Sequence, residues 1–380
     1  MSFESAAKEV LLKQFFSPSN TKRRPRYVLV IHGGAGTITR QGSSDEQQAA
    51  YKLALSQALL AGYKLLNEGA DAIDAVVAAV SVMEDDPLFN SAKGAVFNIE
   101  GKIELDASIM VSKPPFSHPE IPSNRRGLGL TLLTRTKNPS HLVRSLYLAP
   151  SLAPHTLLSG ATAERLGQSL GETLVDPSYF FTEHRWKEHR RGLGLPEEPV
   201  PQPGIPLVTA PQTPLDAYPT GTVGAVALDV HGCIASLTST GGKTNKLVGR
   251  IGDTPQMGSG FWAEEWPETN IIRRLWRKFR GLSSLNRGVG VSGTGDGDYF
   301  IRRSAAVTIS HRVRYLHESL EEATRHVVHD LLAEGGLGGF IALDLDGNVS
   351  MPLNCGGMYR GVIREDGIAK TAIFADEDVA

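Results

Sequence analysis

Residues 196–219 carry eight prolines and show neither helical nor strand periodicity. A proline has no backbone N–H and fixes its own φ, so such a stretch supplies neither a core helix nor a central strand. An extended connector is therefore expected over 196–221, and it divides the chain in two. The sequence resumes at once with Gly221-Thr222-Val223-Gly224-Ala225-Val226-Ala227-Leu228-Asp229, the apolar run of a buried strand. A hydroxyl residue that follows a glycine, opens a buried strand and stands downstream of a tether suits a nucleophile made by cutting the chain. If the Gly221–Thr222 bond breaks, Thr222 carries both a hydroxyl and a free α-amine. With an ordinary pKa of about 7.7–8.0, that amine can take the hydroxyl proton and return it to a leaving group. Taken alone, the same string also fits a threonine that merely opens a strand.

On either side of the connector, short strand patterns alternate with helical ones. Residues 27–32 read as a buried strand, 33–36 as a tight glycine loop, and 46–68 as an amphipathic helix stopped by Gly69. Residues 71–83 are apolar around most of a helical circumference, so that helix should pack between layers. Strands are expected at 94–98 and 103–110, joined through a Glu100-Gly101 turn, and at 127–134 after a Pro- and Ser-rich loop over 112–124. Helices follow at 141–148 and 180–191. Beyond the connector, strands are expected at 223–229, 234–238 and 289–292, helices at 297–315 and 318–333, and a hairpin pairing 339–344 with 349–353. Strands in both halves with helices beside them imply sheets covered by helices on their outer faces. The division is then a lead-in over 1–26, one half-domain over 27–195, the connector, and a second half-domain over 222–380.

A net charge of −2 with 21% charged residues gives no broad basic field to collect nucleic acid and no acidic tail. Cys233 and Cys355 are the only cysteines, too few for a disulfide framework and without the spacing of a zinc site. Residues 1–18 lack the continuous apolar core of a secretory signal, and the longest apolar run, 75–83, is far short of a membrane span. A cytoplasmic protein without nucleic-acid or membrane partners is expected, acting on a small molecule or a short peptide.

Other residues carry chemistry by type and spacing. Thr240 follows Thr222 by 18 residues, a distance that suits a strand, a turn and a return strand bringing two hydroxyls together, although a threonine before Gly241-Gly242 can equally cap a turn. Arg250 and Asp253, three apart in a glycine-flanked loop, form either a surface ion pair or a clamp for an amino acid's α-carboxylate and α-ammonium. Thr294 and Gly295, in Ser292-Gly293-Thr294-Gly295-Asp296-Gly297-Asp298, can point a hydroxyl and an amide at one spot, as a developing oxyanion requires. Gly242-Lys243-Thr244 is not a phosphate loop, because Leu237 stands where its first glycine belongs. Gly167-Gln168-Ser169-Leu170-Gly171 spells a serine-hydrolase elbow but lies at the end of a helical pattern, not after a strand. No His-Glu-x-x-His string or cysteine cluster supports a catalytic metal.

Taken in order, His32-Gly33-Gly34-Ala35-Gly36, Asp85-Asp86-Pro87-Leu88-Phe89-Asn90, Glu104-Leu105-Asp106-Ala107-Ser108-Ile109-Met110, the Thr222 strand, Ser239-Thr240-Gly241-Gly242, Gly249-Arg250-Ile251-Gly252-Asp253 and the Thr294 loop resemble the plant-type asparaginase and isoaspartyl peptidase family of N-terminal-nucleophile hydrolases. The resemblance runs from about residue 27 to 360. It implies a four-layer αββα sandwich and hydrolysis of the side-chain amide of asparagine or of β-aspartyl peptide bonds. It makes Thr222 the nucleophile, Thr240 its support, Thr294 and Gly295 the oxyanion element, and Arg250, Asp253 and Gly297 the substrate contacts, with Asn90 near the centre. It also implies a loop around Glu84, Asp86, Phe89 and Ser91 that holds a structural Na+ or K+ mainly through carbonyls, with no other cofactor, and an (αβ)2 assembly. A glycosylasparaginase, a threonine endopeptidase and an uncleaved binding scaffold are the alternatives.

The match departs at three places. Asp296 occupies a position usually filled by an uncharged or weakly polar residue, where an unpaired carboxylate would repel a substrate carboxylate or an oxyanion. A partner such as Arg302 or Arg303 would relieve it. Residues 124–129, Asn-Arg-Arg-Gly-Leu-Gly, replace a smaller, acid-containing stretch. Residues 265–288 contain an insertion with a basic, aromatic helical run at 271–280, expected to lie over the active-site rim.

Overall fold

The computed structural model describes residues 27–196, 221–279 and 285–379. The lead-in and nearly all of the proline-rich connector therefore lie outside the described residues, as does part of the basic insertion.

The first half contains β1 (Val28–Gly36), α1 (Asp45–Asn67), α2 (Ala72–Asp85), β2 (Leu105–Val111), β3 (Gly127–Leu133), α3 (Pro139–Tyr147), β4 (Leu157–Ser159), α4 (Gly160–Ser169) and α5 (Glu183–Gly192). The second contains β5 (Val223–Leu228), β6 (Ile234–Thr240), β7 (Phe261–Pro267), α6 (Ile271–Phe279), β8 (Asn286–Gly295), α7 (Gly297–Arg303), α8 (Ala305–His311), α9 (Leu320–Ala333), β9 (Gly338–Asp344), β10 (Val349–Ser350), β11 (Gly357–Ile363) and β12 (Lys370–Phe374). Eight strands form one sheet in the order β12-β11-β1-β5-β6-β2-β3-β4, and four form a second in the order β10-β9-β8-β7. Pairing is antiparallel throughout except between β3 and β4.

Both faces of the central strands are buried, which is why they read as apolar runs and not as alternating ones. In β1, Leu29 and Ile31 face the helices while Val28 and Val30 face the second sheet. In β9, Ile341 and Leu343 face the first sheet, and Phe340 and Ala342 pack under α8 and α9. Helices α1 and α2 cover the large sheet and α8 and α9 the small one, giving the four layers αββα. Helix α2 lies between α1 and strands β5 and β6, which explains its apolar circumference. Local signals set the helix starts: Ser44 with Gln47, and Ser319 with Glu322, close capping boxes at the N-termini of α1 and α9.

Several expectations require correction. Residues 33–36 are not a loop, because β1 runs on to Gly36 across a register shift between His32 and Gly34. Residues 94–98 form no strand: Val96 N–H bonds the Asn90 side chain and the Phe97 carbonyl accepts from Asn245 N–H, so these groups serve loops instead of a ladder. The single helix expected over 297–315 breaks at Ser304, whose φ of 47° is left-handed, into α7 and α8. Strands β7, β11 and β12 were not foreseen. Helix α6 does not overhang the site: it follows the Pro267 end of β7, which pairs with Asn286, whereas Thr294 and Gly295 lie at the other end of β8.

Candidate active site

Thr222 directly precedes β5 and Thr240 ends β6, and the hairpin register, Val223 opposite Ser239, sets the two threonines side by side. Thr222 Oγ1 donates to Thr240 Oγ1 at 3.2 Å, and Thr240 Oγ1 also accepts from Gly242 N–H at 3.0 Å. Asn90 staples the turn that follows: its Nδ2 donates to the Gly242 carbonyl at 2.8 Å, its Oδ1 accepts from Val96 N–H, and its own carbonyl accepts from Gly241 N–H. The buried Lys246 ammonium donates to the Gly241 carbonyl at 3.0 Å and to the Glu104 carbonyl at 2.7 Å. Desolvation pushes its pKa down, opposed by the nearby Asp106 and Glu104.

The backbone of Thr222 is held from the other side. His32 Nδ1 lies 2.8 Å from the Thr222 carbonyl oxygen and Nε2 lies 2.8 Å from Ser292 Oγ, which in turn is 3.0 Å from Thr238 Oγ1. Burial drives His32 down to about 3, so the ring is neutral at working pH. Only glycine fits at 224, where a Cβ would come within 2.2 Å of Ser292 Oγ and 2.4 Å of His32 Nε2. Gly34, at φ +117°, and Gly221 are pressed together: a Cβ on Gly221 would stand 2.4 Å from Gly34 Cα. The next amide, Ala35 N–H, donates to Thr294 Oγ1 at 3.2 Å.

These elements meet at a cavity of about 160 Å3 whose lining includes Thr222, Thr240, Arg250, Asp253, Gly295 and Gly297. Thr294, fully buried, lies behind Gly295 and outside the lining. Arg250 makes its ion pair with Asp298 at 2.8 Å, so it and Asp253 do not form the surface pair their spacing allowed. Asp253 is buried against Gly297, where a Cβ would fall 2.2 Å from its Oδ1. Desolvation raises Asp253 to about 7, against the lowering effects of its own backbone N–H and of Arg250. Asp296 pairs neither with Arg302 nor with Arg303. It takes Lys243 at 3.2 Å, while Arg303 pairs with Glu334 and Arg302 sits over the Tyr299 ring.

In the loop suggested for a cation, the Glu84 carboxylate accepts from Ser140 N–H, Ser140 Oγ and Ser239 Oγ, and burial raises it to about 7. Asp86 accepts from Leu88 N–H, and Ser91 bonds Ser239. These side chains are engaged, which leaves main-chain oxygens as donors. The carbonyls of Pro87 and Phe89 converge over Gly94, where a Cβ would meet them at 2.5 and 2.1 Å. Carbonyl oxygens are the donor type a hard monovalent ion takes, and the Phe89 carbonyl also accepts from Ser91 N–H at 3.0 Å. Among the described residues no group of three or more His, Cys, Asp or Glu could hold a metal ion.

The sequence pointed to Thr222, Thr240, Asn90, Arg250, Asp253, Gly295 and Gly297, which the fold gathers around one turn and one cavity. It did not point to the roles of His32, Ser292, Lys243, Lys246 or Asp298. A polar residue closing an otherwise apolar strand was the available signal for His32; the others pair across loops that carry no local pattern.

A family model described as asparaginase matches residues 25–266 and 281–373, passing over the stretch that holds α6. The isoaspartyl peptidase of Salmonella typhimurium is 37% identical over 334 residues, covering 88% of this chain and 94% of that protein. The isoaspartyl peptidase of Escherichia coli K12 is 37% identical over 88% of this chain and 91% of its own length. A putative isoaspartyl peptidase/L-asparaginase of Dictyostelium discoideum is 35% identical over 88% and 93%. With most of both lengths aligned and the four-layer sandwich in place, the chain belongs to the asparaginase family of N-terminal-nucleophile hydrolases.

Proposed function

We propose that the chain cleaves itself between Gly221 and Thr222 and then hydrolyses the side-chain amide of asparagine and β-aspartyl peptide bonds. The observation that carries this reading is the 3.2 Å approach of Thr222 Oγ1 to Thr240 Oγ1 in a cavity that also presents Arg250 and Asp253. The names of the relatives, isoaspartyl peptidase and L-asparaginase, support the substrate class.

In maturation, Thr222 Oγ attacks the Gly221 carbonyl carbon and the C–N bond breaks to give an ester and a free Thr222 amine. Water then hydrolyses the ester. In turnover, that amine takes the hydroxyl proton as Oγ attacks the substrate's side-chain carbonyl, and the oxyanion meets the Gly295 backbone in the cavity wall, while Thr294 behind it accepts from Ala35 N–H and fixes that segment. The amine passes its proton to departing ammonia or to the departing peptide amine, and water releases aspartate by the reverse path. Arg250 holds the α-carboxylate, and ionised Asp253 accepts from the α-ammonium. The carbonyls of Pro87 and Phe89 would hold a Na+ or K+ ion that stiffens the loop carrying Asn90 and supplies no chemistry at Thr222. Free thiols at Cys233 and Cys355 fit a cytoplasmic setting, and an (αβ)2 assembly belongs to this reading.

Purified protein incubated alone should yield two fragments, the smaller starting at Thr222 by N-terminal sequencing. The processed protein should release ammonia from asparagine and free amino acid from a β-aspartyl dipeptide. An active preparation in which Thr222 is never an N-terminus overturns the mechanism, and a processed protein inert on both compounds overturns the substrate assignment.

A further inference from the structure

Among the described residues, four charged side chains line the cavity. Under the proposed function Arg250 and Asp253 are taken by the α-groups of the aspartyl half, so Lys243 and Asp296 have no assigned task. Both stand toward solvent, with side chains 51% and 31% exposed, which places them at the mouth. Their anchoring is unequal. Asp296 is fixed to residue 337, its backbone N–H donating to the Leu337 carbonyl at 2.8 Å and its Oδ2 accepting from Leu337 N–H at 3.2 Å. Lys243 sits next to Gly242, whose N–H holds Thr240 Oγ1, and its ammonium reaches out to Asp296 from there. The cation is thus the adjustable member of the pair, and it is mounted on the turn that supports the nucleophile.

The two substrates place different demands on this mouth. Asparagine releases ammonia, which needs no room. A β-aspartyl dipeptide releases an amino acid whose carboxylate carbon is two bonds from the departing nitrogen. With Arg250 and Asp253 taken by the aspartyl α-groups, Lys243 is the lining cation left for that carboxylate to meet. We propose that Lys243 is a specificity-determining residue: its ammonium binds the carboxylate of the leaving residue and favours β-aspartyl peptides that end in a free carboxylate. This inference rests on the proposed function and deepens it. An exposed ion pair contributes little and is surrendered at small cost, whereas a charge-assisted hydrogen bond formed at a partly enclosed mouth holds better. When no substrate is present, Asp296 neutralises the ammonium and keeps it at the mouth.

The test uses processed full-length protein and three compounds: asparagine, β-aspartyl-leucine and β-aspartyl-leucinamide, which lacks the terminal charge. Wild type should prefer the acid over the amide by about tenfold in kcat/KM, chiefly through KM. Lys243→Met combined with Asp296→Asn, which removes the cation without leaving an unpaired carboxylate, should bring that ratio close to one; Lys243→Met alone should take it below one, Lys243→Arg should keep part of it, and Asp296→Asn alone, which frees the ammonium, should raise it. If Lys243→Met fails to mature, Lys243→Gln serves the same comparison. Equal acid-to-amide ratios in wild type and the neutral variants overturn the inference while leaving the proposed function intact. Failure of wild type on asparagine and on both dipeptides overturns the proposed function itself.

Discussion

His32 Nδ1 lies 2.8 Å from the carbonyl oxygen of Thr222, a contact that joins β1 to the start of β5 across 190 residues of sequence. A carbonyl only accepts, so Nδ1 carries the proton, Nε2 accepts from the Ser292 hydroxyl, and Thr238 donates to Ser292. The ring is a neutral clamp on the residue that must be both nucleophile and base. Burial lowers its pKa from 6.5 to about 3, so the unfolded chain takes up a proton that the folded chain refuses. The stability this group contributes is complete above pH 6.5 and is lost as pH falls toward 3, at up to about 1.4 kcal/mol per pH unit.

The first prediction follows from that sign. His32→Asn should be less stable than wild type at pH 7 by about 1–3 kcal/mol, because Ser292 and the Thr222 carbonyl lose a buried partner. The difference should narrow at pH 4.5, where wild type is penalised for excluding the proton. Urea melts of both proteins at the two pH values decide it, and a gap that stays constant between them contradicts a neutral, buried His32.

A second prediction concerns the bond to be cut. Gly34 holds φ at +117°, and a Cβ there would stand 3.1 Å from Gly221 Cα. Gly34→Ala adds backbone strain of about 1–3 kcal/mol and crowds the Gly221 carbonyl, whose oxygen and carbon the new Cβ would meet at 3.2 and 3.3 Å. Self-cleavage should slow at least several-fold, read as precursor and fragments on a denaturing gel over time. Gly36→Ala is the control, since a Cβ at Gly36 meets nothing within 4 Å. Matching time courses for the two variants would show that the Gly34–Gly221 contact does not govern the reaction.

How far the sequence revealed this arrangement depended on how locally each signal was written. The Gly221-Thr222 junction, the paired threonines and the Arg250–Asp253 spacing are short strings, and the β5–β6 hairpin alone explains why Thr222 and Thr240 meet. The broken helix at Ser304 has no glycine or proline to announce it. Strand β11 escaped notice because Arg360 interrupts its apolar pattern; the fold buries that guanidinium by giving it the carbonyls of Met358, Ile373, Phe374 and Glu377. The pairing of Asp296 with Lys243 was equally hidden, because nearby arginines offered themselves in sequence while the actual partner comes from the turn after β6. Strand patterns declare which residues are buried, but loop-to-loop ion pairs depend on a tertiary arrangement that no short window encodes.

A third prediction separates chemistry from recognition. Thr222→Ala should abolish both maturation and turnover, since one hydroxyl serves both. Arg250→Ala should mature normally yet lose about 100-fold in kcat/KM for asparagine, the value of a charge-assisted pair of hydrogen bonds to the α-carboxylate. Asp298→Asn, which removes the charge of the group now paired with Arg250 at 2.8 Å, should change KM far less. Gel densitometry and steady-state kinetics on the same preparations give both readouts. Wild-type activity toward asparagine in Arg250→Ala would place the substrate elsewhere.

The last prediction sets stability against function at Asp253. Its pKa rises from 3.8 to about 7, mainly by desolvation, so the folded protein holds a proton that the unfolded chain releases. That contribution to stability is complete below pH 3.8 and is lost as pH rises through about 7, where a buried carboxylate must ionise. Asp253→Asn removes the penalty. The variant should therefore be more stable than wild type at pH 8, by an amount on the order of 1–3 kcal/mol, and the advantage should fade toward pH 4. Activity should move the other way: the neutral amide cannot hold the α-ammonium, so kcat/KM for asparagine should collapse at every pH. In wild type it should fall as Asp253 protonates below about pH 7. Thermal melts and pH–rate profiles on processed protein test the two halves together. A variant no more stable than wild type at pH 8 would mean that the charged form of Asp253 is already compensated before substrate arrives.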